Sequence, residues 1–173
     1  MWNNIPDELK ALPMWAIAGP EKAPYRITGQ RANVIDPSSW TDFYSASSVA
    51  EQWGAQLGFV LSESDPFSCI DLDVKDDTPQ EQLDRYWKII QAFDSYAEYS
   101  KSGKGVHIWV KGDVGQGCRR DGVEVYSKQR FIICTGNTLK GFEKPIEWRQ
   151  ELLDVPATEI RSQNQRTQLV EII

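Results

Sequence analysis

The sequence predicts an α+β fold in a single domain. Apolar runs of about four to eight residues, the length typical of strands, recur along the chain between Gly, Pro and Ser turn signals. Two longer stretches, residues 38–53 and 78–93, carry apolar residues at helical spacing instead. With 173 residues, 40% of them hydrophobic, the chain can build one core but not two comfortable ones. We therefore expect helices packed on sheet within one domain over residues 1–155.

A strand and a helix are predicted for the N-terminal part. Residues 12–18 form an apolar run that stops at Gly19-Pro20, which indicates a strand. Residues 38–53 predict a helix, because Asp36-Pro37 provides a start signal and Gly54 a stop signal. The expected apolar face of this helix consists of Trp40, Phe43, Tyr44 and Trp53.

Two apolar runs, residues 57–61 and 67–74, flank the turn signal at 62–66, and we expect them to form a β-hairpin. The second run contains two carboxylates, which strand-forming sequences normally avoid. Because side chains alternate along a strand, Asp71 and Asp73 should share one face, opposite Ile70, Leu72 and Val74. Two charges about 6–7 Å apart repel by roughly 2–3 kcal/mol at an effective dielectric near 20. A divalent cation would offset this repulsion; two solvated acids on a half-buried strand are the alternative.

A second helix is predicted to begin at Thr78-Pro79, where a cap residue precedes a proline and an acid, Glu81, follows. Its expected buried stripe consists of Leu83, Tyr86, Trp87, Ile90 and Phe93. Strands are expected after this helix over residues 95–100, 106–110, 122–126 and 130–136.

The ends of the chain indicate a soluble protein with a tail. From about Pro156 the sequence is polar and Gln-rich, so residues 156–173 are expected to be a linker leading to further domains of a longer parent protein. No apolar run is long enough for a membrane span, and the N-terminus lacks the pattern of a signal peptide. We therefore expect a cytoplasmic protein without membrane contact.

Charge and residue counts exclude several classes of function. A net charge of −6 argues against binding nucleic acid by overall charge, so any such contact needs local basic residues. Three cysteines without C-x-x-C spacing indicate neither a disulfide framework nor a zinc site. The single histidine, His107, excludes metal sites that require two histidines of one chain.

Two further features carry chemistry. Glu124 is a third acid in an apolar strand; alone it would be read as solvent-facing, but three acids from two strands suffice for a two-metal phosphoryl-transfer site. Ser102-Gly103-Lys104-Gly105 is a tight loop before the strand of His107, and such a loop can turn backbone N–H groups and a lysine charge toward a phosphate. A plain hairpin turn is the alternative, and a P-loop is not indicated.

Taken in order, these segments resemble the three motifs of the archaeo-eukaryotic primase superfamily. The matching segments are residues 67–73, 102–108 and 123–136, and the likeness is greatest to primase-polymerase domains encoded by phages and plasmids. It runs from about Trp15 to Gly136. The resemblance implies an RRM-like antiparallel sheet with packed helices, joined to an N-terminal α/β unit.

The resemblance also implies roles for individual residues. Asp71, Asp73 and Glu124 correspond to the catalytic acids that hold Mg²⁺ or Mn²⁺, although many members have Asp at the third position. The nucleotide-binding positions correspond to Ser102, Gly103, Lys104, Gly105, His107, Arg130 and Lys22. The implied activity is template-directed nucleotidyl transfer in phage or plasmid replication. Nucleoside triphosphates and single-stranded or primed DNA would be its substrates, with a helicase domain or protein as a partner.

The resemblance leaves the start of synthesis and the template contacts open. No zinc element or C-terminal helical module is visible, so extension of a primer is expected and initiation is left open. Basic residues that could contact the template are Lys101, Lys111, Arg119, Arg120, Lys128 and Lys140. A metal-dependent nuclease and a non-catalytic RRM-like binding module are the alternatives; neither explains the glycine loop together with the acids.

Overall fold

The computed structural model describes residues 1–155, and the polar tail expected at 156–173 lies outside them. The helices are α1 (Asp7–Lys10), α2 (Phe43–Trp53), α3 (Gln80–Phe93) and α4 (Gln150–Leu153). The strands are β1 (Trp15–Ala18), β2 (Pro24–Tyr25), β3 (Gln56–Leu61), β4 (Phe67–Leu72), β5 (Ala97–Tyr99), β6 (Val106–Lys111), β7 (Cys118–Arg120), β8 (Val123–Tyr126), β9 (Arg130–Cys134) and β10 (Glu147–Trp148).

The strands form two sheets, which confirms the predicted α+β class. Sheet A has the order β2-β1-β3-β9 and is antiparallel throughout. Sheet B has the order β10-β6-β4-β8-β7, and β5 also pairs with β6. The short contact between β10 and β6 is parallel, while the other pairs of sheet B are antiparallel.

Sheet B contains the strand order β8-β4-β6-β5, with α3 connecting β4 to β5. This is a four-stranded antiparallel core with a helix behind it, as expected for an RRM-like sheet. In the described residues, however, no second helix lies between β6 and β8. The N-terminal unit is also not self-contained, because β9 from the far end of the chain completes sheet A.

Each face of β4 meets a different layer. Ile70 and Leu72 pack in a cluster with α3 residues such as Ile89. Cys69, on the opposite face, belongs to the core that includes residues of sheet A. The face that carries Asp71 therefore looks away from α3, as alternation along the strand predicts.

The predicted hairpin of residues 57–61 and 67–74 is wrong. β3 pairs with β1 and β9 in sheet A, whereas β4 pairs with β6 and β8 in sheet B. The turn between them is a crossing from one sheet to the other. Asp65 holds it: one carboxylate oxygen accepts the N–H of Ser62 at 2.7 Å and the other accepts the N–H of Phe67 at 2.8 Å.

Both helix predictions need correction at the start and on one face. α2 begins after Asp42, whose carboxylate accepts the N–H of Ser45, and Tyr44 and Trp53 are exposed instead of buried. Trp87 on α3 is exposed as well. The hydroxyl of Thr78 accepts the N–H of Lys75 and does not cap α3, which has Pro79 at its N-cap position. The small residues Ala46 and Ala50 supply much of the buried face of α2.

Several short elements were not predicted from the sequence, namely α1, β2, β7, β10 and α4. The last two lie after residue 136, where no further strand was expected. Cys69 and Cys134 are buried free thiols, and Cys118 is an exposed one. Within residues 1–155, no helix has the length and apolar character that crossing a bilayer requires.

Candidate active site

One row of polar side chains crosses sheet B in register. Asp71 on β4 lies directly opposite Glu124 on β8 and directly opposite His107 on β6. The row continues to Arg119 on β7 beyond Glu124, and to Glu98 on β5 beyond His107. Residues directly opposite each other in antiparallel strands point to the same face. The predicted convergence of Asp71 and Glu124 on one face is therefore present.

Each of the two acids, Asp71 and Glu124, has at least one basic side chain next to it. The Glu124 carboxylate lies 3.2 Å from Nε of Arg119 and 3.9 Å from Nη2 of Arg130. His107 Nε2 lies 3.6 Å from Oδ1 of Asp71. Like charges directly opposite in a sheet are destabilising, so the two arginines beside Glu124 offset the repulsion between Asp71 and Glu124. Arg130 also stacks over the Tyr126 ring, with its guanidinium carbon 4.3 Å from the ring centroid.

Apart from Glu98, this row lines a cavity of about 870 Å³ between the two sheets. Sheet B contributes Asp71, His107 and Glu124, and sheet A contributes Arg130 and the residues after it. A volume in this range suits a small-molecule ligand such as a nucleotide. The lining includes all the predicted site residues except Gly103, namely Lys22, Asp71, Asp73, Ser102, Lys104, Gly105, His107, Glu124 and Arg130.

The glycine loop is built by two different constraints. Gly103 has φ +80°, a left-handed conformation that favours glycine, and its N–H donates to the Ser100 carbonyl at 2.9 Å. Gly105 lies so close to β4 that an added Cβ would be 2.9 Å from the Leu72 carbonyl oxygen. Gly103 therefore allows the turn, and Gly105 allows the loop to pack against β4 beside the cavity. Lys104, at the rim, forms an ion pair with Asp76.

Lys22 approaches the cavity from the N-terminal unit. It has φ 60° and follows Glu21 with φ 59°, two consecutive left-handed residues that are not glycine. Gln129, next to Arg130 on the lining, has φ 54°. Such conformations are strained for residues with a side chain and cluster at functional sites. Lys22 forms no ion pair with any residue among 1–155, so its charge is free to meet a ligand.

The remaining predicted acid, Asp73, is placed differently from Asp71 and Glu124. β4 ends at Leu72, and the Asp73 N–H donates to the Gly122 carbonyl at 3.1 Å. Its side chain is 51% exposed and lies 3.7 Å from Nζ of Lys75. Asp73 lines the same cavity as Asp71 but is not part of the in-register row.

The donor chemistry suits Mg²⁺ or Mn²⁺, because carboxylate oxygens are the ligands that these ions prefer. Asp71 and Glu124 lie directly opposite each other on the neighbouring strands β4 and β8. No three His, Cys, Asp or Glu side chains within residues 1–155 are grouped as ligands of one ion. A metal at this position stays a proposal.

The basic residues named for template binding do not form one patch. Lys101 and Arg119 line the cavity. Lys111 pairs with Glu8 at 2.5 Å, and Lys128 pairs with Glu63 at 3.6 Å near a second, smaller cavity. Of the six named residues, Lys101 and Arg119 are therefore the ones placed to contact a strand that enters the main cavity.

Sequence reasoning missed Glu98, the end of the row. This residue is 0% exposed, and burial raises the pKa of its carboxyl, while the charge of His107 and hydrogen bonds from Thr135 and Gly136 oppose that rise. Part of this signal was available in the sequence, because Glu98 is an acid within a predicted strand. The register was not available, since the predicted loop 101–105 would pair residue 98 with residue 108, whereas the structure pairs Glu98 with His107.

Comparison with known proteins finds a similar sequence in a phage. The sequence is 34% identical over 138 residues to a protein of Nitratiruptor phage NrS-1 named "DNA Primase-polymerase". This supports a relationship to primase-polymerases. The similarity covers 74% of this chain but only 19% of the phage protein, so the chain spans about a fifth of its relative. No family model matches the sequence. Membership of the archaeo-eukaryotic primase superfamily stays a prediction from the motifs.

Proposed function

We propose that this chain is the nucleotidyl-transferring part of a DNA primase-polymerase, which adds nucleotides to the 3′-hydroxyl of a primer on a DNA template. The observation that carries the proposal is the in-register row of Glu124, Asp71 and His107 facing a nucleotide-sized cavity. The similarity to the phage protein supports it independently.

The proposed nucleotide position follows from the charges around the cavity. Lys104 and the backbone of the glycine loop lie at one side, and Lys22 and Arg130 approach from the N-terminal unit and β9. These cations would bind the triphosphate, since phosphate oxygens are held by lysine, arginine and backbone N–H groups. Ser102 and His107 would form hydrogen bonds with the phosphate or sugar groups of the nucleotide.

The acids would hold the metal. Asp71 and Glu124, with Asp73 at the rim, would be the ligands of Mg²⁺ or Mn²⁺. When bound, such ions supply Lewis acidity at the attacking hydroxyl and charge neutralisation at the departing pyrophosphate. The chain's own contribution is to align the substrate: two walls from different sheets fix the triphosphate, and the acids fix the end where the primer arrives.

The proposed partners follow from the same surfaces. A primed or single-stranded template would pass the rim, where Lys75, Lys101 and Arg119 line the cavity. The overall charge of −6 leaves such local cations as the attractive surface for a phosphate backbone. A helicase domain or protein as a further partner, and a role in phage or plasmid replication, belong to this proposal.

Primer extension tests the proposal. The chain is incubated with a labelled primer-template, deoxynucleotides or ribonucleotides, and Mg²⁺ or Mn²⁺. We expect extension by the wild type and its loss, by at least about a hundredfold, in Asp71→Asn/Asp73→Asn, because the neutral amides keep the shape and remove the metal-binding charge. Asp77→Asn is the matched control, an exposed neighbouring acid that does not line the cavity.

Two outcomes would overturn the proposal. The first is extension by the folded double variant at the rate of Asp77→Asn. The second is shortening of the primer by the wild type when nucleotides are omitted, with no extension when they are added, which would indicate a nuclease. Circular dichroism of each variant ensures that lost activity reflects the site and not the fold.

A further inference from the structure

Glu98 carries a fully buried carboxyl group that pairs with no lysine or arginine among residues 1–155. It is 0% exposed and forms no ion pair there. Its Oε2 accepts three hydrogen bonds, from the N–H of Thr135 at 2.5 Å, from the Thr135 hydroxyl at 2.6 Å and from the N–H of Gly136 at 2.8 Å. These donors follow β9 of sheet A, while Glu98 lies in β5 of sheet B. One oxygen of Glu98 thus joins the two sheets.

The other oxygen of Glu98 has no such role. Oε1 is buried without a hydrogen-bond partner, and so is Nδ1 of His107. The two residues lie directly opposite each other in β5 and β6. Directly opposite side chains have Cβ atoms about 4.5–5.5 Å apart. Buried polar groups without partners are rare and costly, so two on neighbouring side chains of one row require a common explanation.

We infer that Glu98 is a positioning residue for His107. Its Oε1 accepts a hydrogen bond from the Nδ1–H of the imidazole, directly or through one water, and this bond fixes the ring with Nε2 toward Asp71 and the cavity. The hydrogen bond at one ring nitrogen commonly decides the tautomer and orientation of a functional histidine. A water can bridge two such groups at little cost.

The effect of Glu98 on nucleotide binding rests on the proposed function, but its effect on the ring of His107 does not. A rival explanation is that Glu98 only braces the two sheets through Oε2. The two explanations differ in which oxygen matters, and that difference can be tested.

Nitrogen-15 NMR of the imidazole gives a direct test on the unmodified chain. His107 is the only histidine in the sequence, so every imidazole signal belongs to this ring. Without nucleotide, we expect an Nδ1 that carries a proton and a ring N–H proton protected from exchange with water. A ring that carries its proton only on Nε2, or that exchanges freely, would overturn the inference without any variant.

Glu98→Gln separates the two oxygens. Its carbonyl can still accept from Thr135 and Gly136, but its NH₂ group can only donate and cannot accept from Nδ1–H. We expect the protected Nδ1–H signal to be lost while the thermal midpoint stays close to that of the wild type. Thr135→Val is the matched control, since it removes one donor to Oε2 and leaves Oε1 untouched. It should lower stability and keep the Nδ1–H signal.

The kinetics of primer extension test whether the orientation of the His107 ring affects nucleotide binding. We expect Glu98→Gln to raise KM for the nucleotide on the order of tenfold, because second-layer partners of histidine are worth tenfold or more, with a smaller change in kcat. Thr135→Val should leave KM unchanged. If the wild type extends primers but the Glu98→Gln imidazole spectrum matches it, this inference alone fails. If no extension is seen but the Nδ1–H signal depends on Glu98, the proposed function fails and the inference stands.

Discussion

At the scale of single residues, the site is a balance of opposite charges in one row. Two acids, Asp71 and Glu124, face each other across neighbouring strands, and Arg119 and His107 flank them. Arg130 reaches Glu124 from the opposite sheet. Since each group changes the electrostatic free energy of the others, removal of one charge should alter metal binding more than folding.

Arg119→Ala should strengthen the binding of Mn²⁺ in the absence of nucleotide. The guanidinium lies 3.2 Å from the Glu124 carboxylate, where it opposes a second cation, and loss of a unit charge near a divalent ion is worth about three- to tenfold in affinity. Stability should change by less than about 1 kcal/mol, because Arg119 is 70% exposed. Electron paramagnetic resonance of free Mn²⁺ measures the affinity.

Arg120→Ala is the control for Arg119→Ala. Arg120 is the next residue on β7 and pairs with Asp121, outside the cavity lining. Equal Mn²⁺ affinity of the two variants, or weaker binding by Arg119→Ala, would contradict the assignment of Glu124 to the metal.

Asp65 should give the fold a measurable dependence on pH. Burial raises the pKa of this carboxyl from 3.8 to about 6. The folded state therefore holds a proton that the unfolded state has already lost, so the free energy of unfolding falls as pH rises from about 4 to 6. Asp36 and Asp42, whose pKa values are lowered by hydrogen bonds from Ser38 and Ser45, act below this window.

Urea unfolding at several pH values checks the role of Asp65. Asp65→Asn should be less stable, since it loses one of two acceptors for backbone N–H groups, but its stability should vary less between pH 4 and 6 than that of the wild type. An unchanged slope in the variant would show that Asp65 titrates normally.

The acids could be predicted from the sequence because carboxylates interrupt apolar strand patterns at Asp71, Asp73 and Glu124. Glu98 breaks its strand in the same way, but its role depends on its cross-strand neighbour and on the burial of both. A sequence pattern predicts which face of a strand a side chain lies on. Whether that side chain is buried, and whether its polar atoms have hydrogen-bond partners, is known only from the folded structure.

At the scale of elements, the glycine loop decides how close the phosphate-binding backbone comes to the acids. Its two glycines are required for different reasons. Gly103 adopts φ +80° and has no atoms near the position of a Cβ, whereas Gly105 packs against Leu72 and Ser100. A substitution at each position separates backbone strain from steric clash.

Gly105→Ala should cost more stability than Gly103→Ala. At Gly103 the cost is the left-handed backbone alone, about 1 kcal/mol. At Gly105 a Cβ would be 2.9 Å from a backbone oxygen, so the loop must move, at a cost of about 1–3 kcal/mol. Thermal unfolding measures both. A milder effect at Gly105 would mean that the loop does not depend on close contact with β4.

The element predictions failed where long-range contacts decide. Residues 57–61 and 67–74 flank a turn, which is the local pattern of a hairpin. In the structure, however, β3 pairs with residues 130–134 instead of with residues 67–74. The aromatic residues Tyr44, Trp53 and Trp87 are placed at helical spacing, yet smaller or aliphatic neighbours fill the core. Composition cannot choose among several apolar side chains on one helix, because the shape of the facing sheet makes that choice.

At the scale of the whole molecule, the cavity exists because two sheets meet along only part of their length. The aromatic core between them is centred on Phe59 of β3. Its ring makes edge-to-face contacts with Trp15 of sheet A at 5.5 Å, and with Phe67 and Trp109 of sheet B at 6.0 and 5.7 Å between centroids. Further along the strands this core gives way to the polar row, which explains why the site opens there.

Phe59→Ala should destabilise both sheets together. Loss of a buried phenylalanine costs about 3–5 kcal/mol, and the contacts of Phe59 extend to both sheets. Far-ultraviolet circular dichroism and tryptophan fluorescence should therefore show one coincident transition at lower urea. Val60→Ala, on the other face of β3, should cost less. Two separate transitions in Phe59→Ala would mean that the sheets fold independently.

A nucleotide-bound crystal structure with Mn²⁺ tests the central claim most directly, that the row of acids and the glycine loop form one substrate site. We expect an anomalous manganese peak that contacts both Asp71 and Glu124, with the triphosphate against Lys104 and Gly105. A manganese peak away from Asp71, or a nucleotide bound outside the cavity, would contradict the account.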